Sequence, residues 1–220
     1  MAGMDHKDRI VELENIRFGY TQGRYVLRDL HFTFCRGDKA ALLGPNGSGK
    51  TTLFQVIMGL LKPQAGQVNI FGEERNKNND FHEVRRRIGY LFQDSDDQLF
   101  CPTVAEDIAF GPLNLGKSRE ETKKIIKHTL SRLGLEGFED RITYKLSGGE
   151  KRLVALGTVL AMEPEVLLLD EPVIGLDDEH RERFIDVLQE MDSYIIISHD
   201  RELLDKVTEK SYTLKNGAIL

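Results

Sequence analysis

A glycine-rich segment carries the strongest chemical signal in the sequence. Residues 44–51 place three glycines directly before Lys50 and Thr51. In this pattern the glycines let backbone amides turn inward around phosphate oxygens, the lysine reaches the β and γ phosphates, and the threonine hydroxyl is a ligand for Mg²⁺. An apolar segment precedes the loop, and a helix follows whose amino end favours an anion. The sequence therefore predicts a nucleotide-binding loop rather than a chance turn. The expected contacts are Gly44, Pro45, Asn46, Gly47, Ser48, Gly49, Lys50, Thr51 and Thr52.

Two adjacent acids, Asp170 and Glu171, end a second apolar segment at residues 166–169. Open α/β sheets bind ligands at the carboxyl ends of their strands, and neighbouring strand residues point to opposite sides. Asp170 is therefore expected to hold the Mg²⁺ shell, and Glu171 to orient or deprotonate an attacking water. The alternative is a merely solvated strand end, but the phosphate loop favours the catalytic interpretation.

A further glycine pair, Gly148 and Gly149, lies between Ser147 and Glu150. Serine followed three residues later by glutamate is a capping box, which begins a helix. The plain interpretation is a helix cap. A cap does not require two glycines, however, and glycines at a helix amino end permit close approach of an anion. We therefore expect a second anion-binding helix end here.

The elements that position these residues follow an α/β order. Three β-rich segments, residues 11–18, 25–34 and 39–43, are separated by turns at 22–23 and 36–37, a spacing that fits hairpins. A helix over residues 50–60 would place Leu53, Ile57 and Leu60 on one face.

The middle third predicts helices. Thr103 with Glu106, and Ser118 with Glu121, form capping boxes. After the second box, Ile126, Leu130 and Leu133 fall at helical spacing. We therefore expect a helical lobe at residues 94–146, inserted into a core formed by residues 1–93 and 147–220, all within a single domain.

The last third alternates helix and strand again. Helices are expected from Ser147, from about Asp178 and from about Asp200, with strands at residues 166–169 and 194–197 and a closing hairpin turn at 215–217. The uniformly apolar strands are typical of a parallel sheet buried on both faces. The fold class is therefore α/β, with a phosphate-loop core, an antiparallel β lobe and an inserted helical subdomain.

Composition narrows the function classes. The 220 residues are 40% hydrophobic and 30% charged, which is typical of a folded globular chain. A net charge of −6 gives no support for binding nucleic acid. Cys35 and Cys101 are interpreted as ordinary buried thiols. No apolar run approaches the length of a membrane span, and residues 1–9 lack a secretory signal, so we expect a cytoplasmic location.

The motifs, taken in order with Gln93, Leu176-Asp177 and His199, resemble the ATPases of ABC transporters over nearly the whole chain. The resemblance implies a P-loop NTPase fold and two copies packed head to tail. Each ATP would lie between the phosphate loop of one copy and Ser147, Gly148 and Gly149 of the other. Binding of Mg²⁺-ATP would then close the dimer, hydrolysis would reopen it, and the helical lobe would pass that motion to membrane helices.

The resemblance also implies individual roles. Tyr20 matches the aromatic residue that stacks on adenine, although it could instead be a hairpin core residue. Gln93 matches a residue that touches Mg²⁺ or the attacking water, and His199 one that contacts the γ-phosphate. Asp177 matches an acid that communicates across the dimer, although a helix N-cap would give the same sequence.

A narrower resemblance lies in residues 92–112, which are similar to the energy-coupling-factor branch, and most of all to cobalt-type importers. It implies uptake of cobalt or nickel ions or of a vitamin. Asp94, Asp96 and Asp97 could alternatively form a solvated acidic loop or a metal site. The sequence departs from the family pattern at Glu150, at Val173 and Ile174, and at Asp178, but none of these changes removes a catalytic group.

The implied partners are a second copy or a related ATPase, and an integral membrane subunit that holds the chain at the cytoplasmic face of the membrane. Two other classes stay open. An ABC ATPase of DNA repair would carry a long coiled coil, and one of translation would carry two such domains. A regulatory module without hydrolysis would not need Glu171 and His199.

Overall fold

The computed structural model describes residues 8–21 and 23–220. The chain divides into two compact units, one formed by Met1–Ile88 with Asp192–Leu220 and the other by Gly89–Met191. The predicted lobe at residues 94–146 falls within the second unit, and its separation from a core at 147–220 stays a prediction. Most of the segment at residues 1–9 and part of the turn at 22–23 lie outside the described residues.

The first unit contains an antiparallel sheet made of β1 (Arg9–Phe18), β2 (Leu27–Cys35), β4 (Ala65–Ile70) and β5 (Glu73–Glu74). The order of these strands in the sheet is β2-β1-β4-β5. Val11 in its centre pairs with Phe34 on one side and with Ile70 on the other. The predicted hairpin between the first two strands is confirmed.

The other strands of the first unit are β3 (Lys39–Leu43), β8 (Tyr194–Ile197), β9 (Lys210–Lys215) and β10 (Ala218–Ile219). β3 pairs in parallel with β8 and with β9, so the second hairpin expected from the turn at residues 36–37 is wrong. The closing hairpin of β9 and β10 is confirmed. Its turn residues Asn216 and Gly217 both have positive φ, as a tight two-residue turn requires.

The helices of the first unit are α1 (Lys50–Ile57), α2 (Phe81–Arg87) and α7 (Arg201–Val207). Leu53 and Ile57 are fully buried, as predicted. Leu60 lies beyond the end of α1 and is 51% exposed, so the prediction that it lies on the apolar face of this helix is wrong. The helix ends earlier because Gly59 takes a left-handed conformation, which commonly terminates helices.

In the second unit, neighbouring strands β6 (Ile88–Leu91) and β7 (Val166–Asp170) accompany four helices. Thr103 and Ser118 cap the first two of these helices, which confirms both capping boxes. Every residue of β7 is buried, as expected for a two-sided strand. The helices are α3 (Val104–Asn114), α4 (Arg119–Arg132), α5 (Gly148–Leu160) and α6 (Asp178–Gln189).

The two cysteines differ in environment. Cys35 is buried, whereas Cys101 is only half-buried because it lies in the turn that precedes α3, so the expectation of two buried thiols was wrong for Cys101. Within the described ranges, no helix is long and apolar enough to cross a membrane.

Candidate functional site

The phosphate loop connects β3 to α1. Gly44, Gly47 and Gly49 have φ values of 148°, 76° and 105°, which residues with a side chain rarely adopt. Lys50 is buried, and its Nζ donates to the carbonyl oxygens of Gly44 at 2.8 Å and Pro45 at 3.3 Å. The lysine ammonium therefore lies against the loop itself, on the side where its carbonyl oxygens face it.

Ser48 offers an independent test of whether the loop fits a polyphosphate. Its Oγ is buried and has no hydrogen-bond partner among the described residues. A buried hydroxyl without a partner is costly, so the site favours a ligand with acceptor oxygens. The first turn of α1 also lacks a side-chain cap, which leaves its amino end to interact with an anion.

His199 and Tyr20 join this loop from distant parts of the first unit. His199 follows β8, and its Nε2 lies 3.0 Å from Asn46 Oδ1. Tyr20 is 62% exposed, so the alternative of a hairpin core residue is wrong. Its ring packs edge to face on Phe18, and its hydroxyl lies 3.1 Å from Thr52 Oγ1. An exposed, anchored ring of this kind is suited to stack on a base.

The second unit holds the carboxylate pair at the end of β7. Asp170 and Glu171 are both buried, at 1% and 8% exposure. Glu171 has a φ of 45°, a left-handed conformation that non-glycine residues rarely adopt and that functional sites often retain. The sequence predicted the position of this pair but gave no sign of the unusual backbone.

Arg152 was missed by the sequence reasoning, although it lies on α5 among apolar residues. It is 3% exposed and donates to carbonyl oxygens in the segment that bears Gln93 and in the segment that bears Asp170 and Glu171. An arginine in an otherwise apolar helix face was the available signal. Gln93 itself is exposed.

Ser147 begins α5 with the predicted capping box. Its Oγ accepts from the Glu150 amide at 3.2 Å, and Glu150 Oε2 accepts from the Ser147 amide at 2.8 Å. The bond from the Ser147 amide lowers the pKa of Glu150. Gly148 is exposed, and a Cβ added there would meet nothing within 4 Å. This helix end therefore presents open backbone, which suits approach by a bulky anion.

Asp177 is the N-cap residue of α6, which was one of the two interpretations of this acid. Its Oδ1 accepts from the His180 amide at 2.9 Å and lies 2.6 Å from His180 Nδ1. The hydrogen bond from the His180 amide lowers the pKa of Asp177. The His180 ring also lies beside Gly149, where an added Cβ would come within 3.3 Å of it. His180, which sequence reasoning also missed, thus connects the Asp177 loop to the start of α5.

The acidic loop forms ordinary polar contacts. Asp96 pairs with Lys151 at 2.6 Å, and Asp94 Oδ1 accepts from the Asp96 amide. Over the part of the chain that the structure describes, no group of three His, Cys, Asp or Glu residues could hold a metal ion.

Comparison with known proteins agrees with these features. The family model described as ABC transporter matches residues 27–174. The energy-coupling factor transporter ATP-binding protein EcfA of Methanocaldococcus jannaschii is 43% identical over 216 residues, which is 96% of this chain and 77% of that protein.

Two solved structures are similar throughout. CbiO1 of Clostridium perfringens, part of the ABC transporter complex CbiONQ, has a TM-score of 0.85 at 34% identity. The alignment covers 97% of this chain and 87% of the CbiO1 chain. A dimeric ATP-binding cassette in a post-hydrolysis state, bound to ADP and Pi, has a TM-score of 0.85 at 28% identity, with coverage of 95% and 96%. The chain therefore belongs to the ABC transporter family and is an ABC ATPase similar to the ATP-binding proteins of energy-coupling factor transporters.

Proposed function

We propose that this chain hydrolyses Mg²⁺-ATP to drive an energy-coupling-factor importer. The observation that carries the proposal is the phosphate loop, in which glycine backbone, the Lys50 ammonium and the orphaned Ser48 hydroxyl converge. Lys50 holds the β and γ phosphates, and His199 contacts the γ-phosphate from its position beside Asn46. Tyr20 stacks on the adenine.

The carboxylates supply the chemistry of hydrolysis. Glu171 orients or deprotonates the attacking water, and its buried position favours a fixed geometry. Thr51, Gln93 and Asp170 are oxygen donors of the kind that Mg²⁺ prefers, and they would hold the ion. When bound, Mg²⁺ neutralises charge on the phosphates.

A second copy, or a related ATPase, completes the site. The exposed start of α5 at Gly148 supports this proposal, because its backbone is open to a nucleotide held by another chain. Asp177 then acts at the contact between the two copies. Closure on ATP and reopening after hydrolysis would supply the mechanical step.

The membrane partner is an integral transporter subunit, which holds the chain at the cytoplasmic face of the membrane. Similarity to EcfA and to a component of the CbiONQ complex supports this assignment. The same similarity favours cobalt or nickel ions or a vitamin as the solute.

The test is purification of the tagged chain from membranes, followed by ATPase assays of wild type, Glu171→Gln and a control, Glu120→Gln. Glu120 is an exposed acid in the first turn of α4. We expect a polytopic partner to co-purify, and Glu171→Gln to lower turnover by roughly 10² to 10⁴ fold while ATP still binds. Unchanged turnover would contradict the role of Glu171. An active enzyme without a membrane partner would favour an ABC ATPase of repair or translation. A wild-type chain that does not hydrolyse ATP would favour a regulatory module.

A further inference from the structure

Arg152 projects from α5, the helix that begins at Ser147, into the interior of the second unit. All of its side-chain nitrogens donate hydrogen bonds: Nε donates to Pro172 O at 2.7 Å, and Nη2 donates to Asp170 O at 2.8 Å and Glu171 O at 3.0 Å. Nη1 donates to Phe92 O and, at 3.2 Å, to Gln93 O. Each of these five acceptors is a main-chain carbonyl oxygen, so the contacts fix backbone rather than side chains.

A buried guanidinium is costly unless its donors are satisfied, which the five carbonyls accomplish. Burial lowers the pKa of Arg152 to about 10, while the nearby carboxylates of Asp170, Asp94 and Glu171 favour its charged form. The side chain is therefore still a cation at neutral pH. Only a planar, forked group with donors on three nitrogens can reach both segments at once.

The Gln93 segment has a second attachment to the same helix. Gln98 Oε1 accepts from the Phe92 amide at 3.0 Å, and Gln98 Nε2 donates to Ala155 O and to Thr158 Oγ1, both at 3.1 Å. Arg152 and Gln98 thus both connect the segment after β6 to α5, but Arg152 alone also holds the strand end of the catalytic carboxylates.

We propose that Arg152 is a positioning residue that couples the two nucleotide sites of the dimer. This inference rests on the proposed function, in which Ser147 of one chain contacts one ATP while Gln93 and Glu171 of the same chain act on the other. A shift of α5 when its amino end engages nucleotide is transmitted by the guanidinium to both catalytic segments. ATP bound at one site thereby sets the geometry for hydrolysis at the other.

The test compares Arg152→Lys with wild type in the purified transporter assembly, by ATPase rate against ATP concentration. Lysine keeps the charge but has a single nitrogen, so it cannot hold both segments. We expect kcat to fall by about 10²-fold, as small misplacements of catalytic groups cause, with KM changed by less than about 3-fold. The Hill coefficient should fall towards 1 from a wild-type value approaching 2, the number of sites.

Two further variants make the result decisive. Arg132→Lys, which alters a surface pair with Glu190, should leave all three parameters unchanged. Gln98→Ala removes only the second attachment and should lower kcat and the Hill coefficient in the same direction, so it carries the test if Arg152→Lys does not fold.

Three outcomes would overturn the inference. The first is a lower melting temperature of Arg152→Lys with wild-type kcat and Hill coefficient, which indicates a merely structural arginine. The second applies if Arg152→Lys does not fold, and it is a wild-type kcat together with a wild-type Hill coefficient in Gln98→Ala. The third is a wild-type assembly without hydrolysis, which would also overturn the proposed function.

Discussion

His199 Nε2 lies 3.0 Å from Asn46 Oδ1, although 153 positions separate the two residues in the sequence. The contact places a ring nitrogen at the edge of the phosphate loop, which supports the proposed role of His199 at the γ-phosphate. A local sequence window around either residue gives no indication of this pairing.

Replacement of His199 tests that placement. His199→Ala should lower kcat by roughly 10²-fold, because a preorganised hydrogen-bond donor at the transferred phosphate is lost, whereas ATP affinity should change only slightly. Asn46→Ala should lower kcat less, because the ring stays but loses its anchor. Steady-state ATPase assays with nucleotide titrations measure both effects, and a loss of affinity without a loss of kcat would contradict the assigned role.

Replacement of Gly148 by alanine should affect the stability and the ATPase activity of the chain differently. Because a Cβ at this position meets nothing within 4 Å, Gly148→Ala should fold normally, with a free energy of unfolding within about 1 kcal/mol of the wild-type value. The same methyl group would obstruct nucleotide approach from a second copy, so ATPase activity should fall strongly. Denaturant unfolding and ATPase assays on the same preparation provide the comparison. Full activity in this variant would mean that no ligand approaches the start of α5.

Glu150 gives a pH-dependent prediction. Its pKa is lowered in the folded chain by the Ser147 amide, so it stabilises the fold above its unfolded pKa and loses that contribution as the pH falls through the folded value. Glu150→Gln keeps a capping box but removes this acid dependence. At neutral pH its stability should change by less than about 1 kcal/mol, because the Arg141 partner is largely exposed.

The matched control is Glu150→Ala, which removes the reciprocal bond and should cost about 1 kcal/mol at neutral pH. Urea unfolding between acidic and neutral pH distinguishes the variants. An acid dependence that persists unchanged in Glu150→Gln would show that other carboxylates dominate.

Cys101 and Tyr194 give the corresponding alkaline prediction. Burial raises the pKa of Cys101 to about 11, with a further contribution from Asp107, and burial raises the pKa of Tyr194 to about 12. Both groups stabilise the fold fully below their unfolded pKa values and lose this contribution as the pH rises through the folded values. Stability should therefore decline from about pH 9 upwards.

Alkylation provides a direct measurement for Cys101. Because the thiolate is the reactive species, iodoacetamide labelling of Cys35→Ser should be slow at pH 8 and should rise with a midpoint near pH 11. Unfolded protein serves as the control with an ordinary midpoint. A midpoint in the folded chain at or below the unfolded value would contradict the prediction.

Local signals in the sequence predicted local structure well. The capping boxes at Thr103, Ser118 and Ser147 and the turn at Asn216 depend on residues within four positions of each other, and all were confirmed. Non-local pairing was harder to predict. The expected hairpin of β2 with β3 was wrong because β3 pairs in parallel with β8 and β9, far along the chain.

The sequence also gave no sign of β4, in which half of the residues are exposed and the alternation is weak. Its pairing with β1 stabilises it. Within the candidate site, residue types identified Lys50 and Glu171, but the contacts of Arg152 and His180 depend on segments that meet only in the folded unit. These two residues could not be assigned from spacing alone.

The left-handed backbone of Glu171 has a consequence for laboratory evolution of this chain. Glycine at this position would relieve about 1 kcal/mol of backbone strain, while removing the carboxylate on which turnover is proposed to depend. A library screened only for heat resistance would therefore be expected to enrich inactive chains at this position. Engineering for durability needs a simultaneous growth or turnover selection.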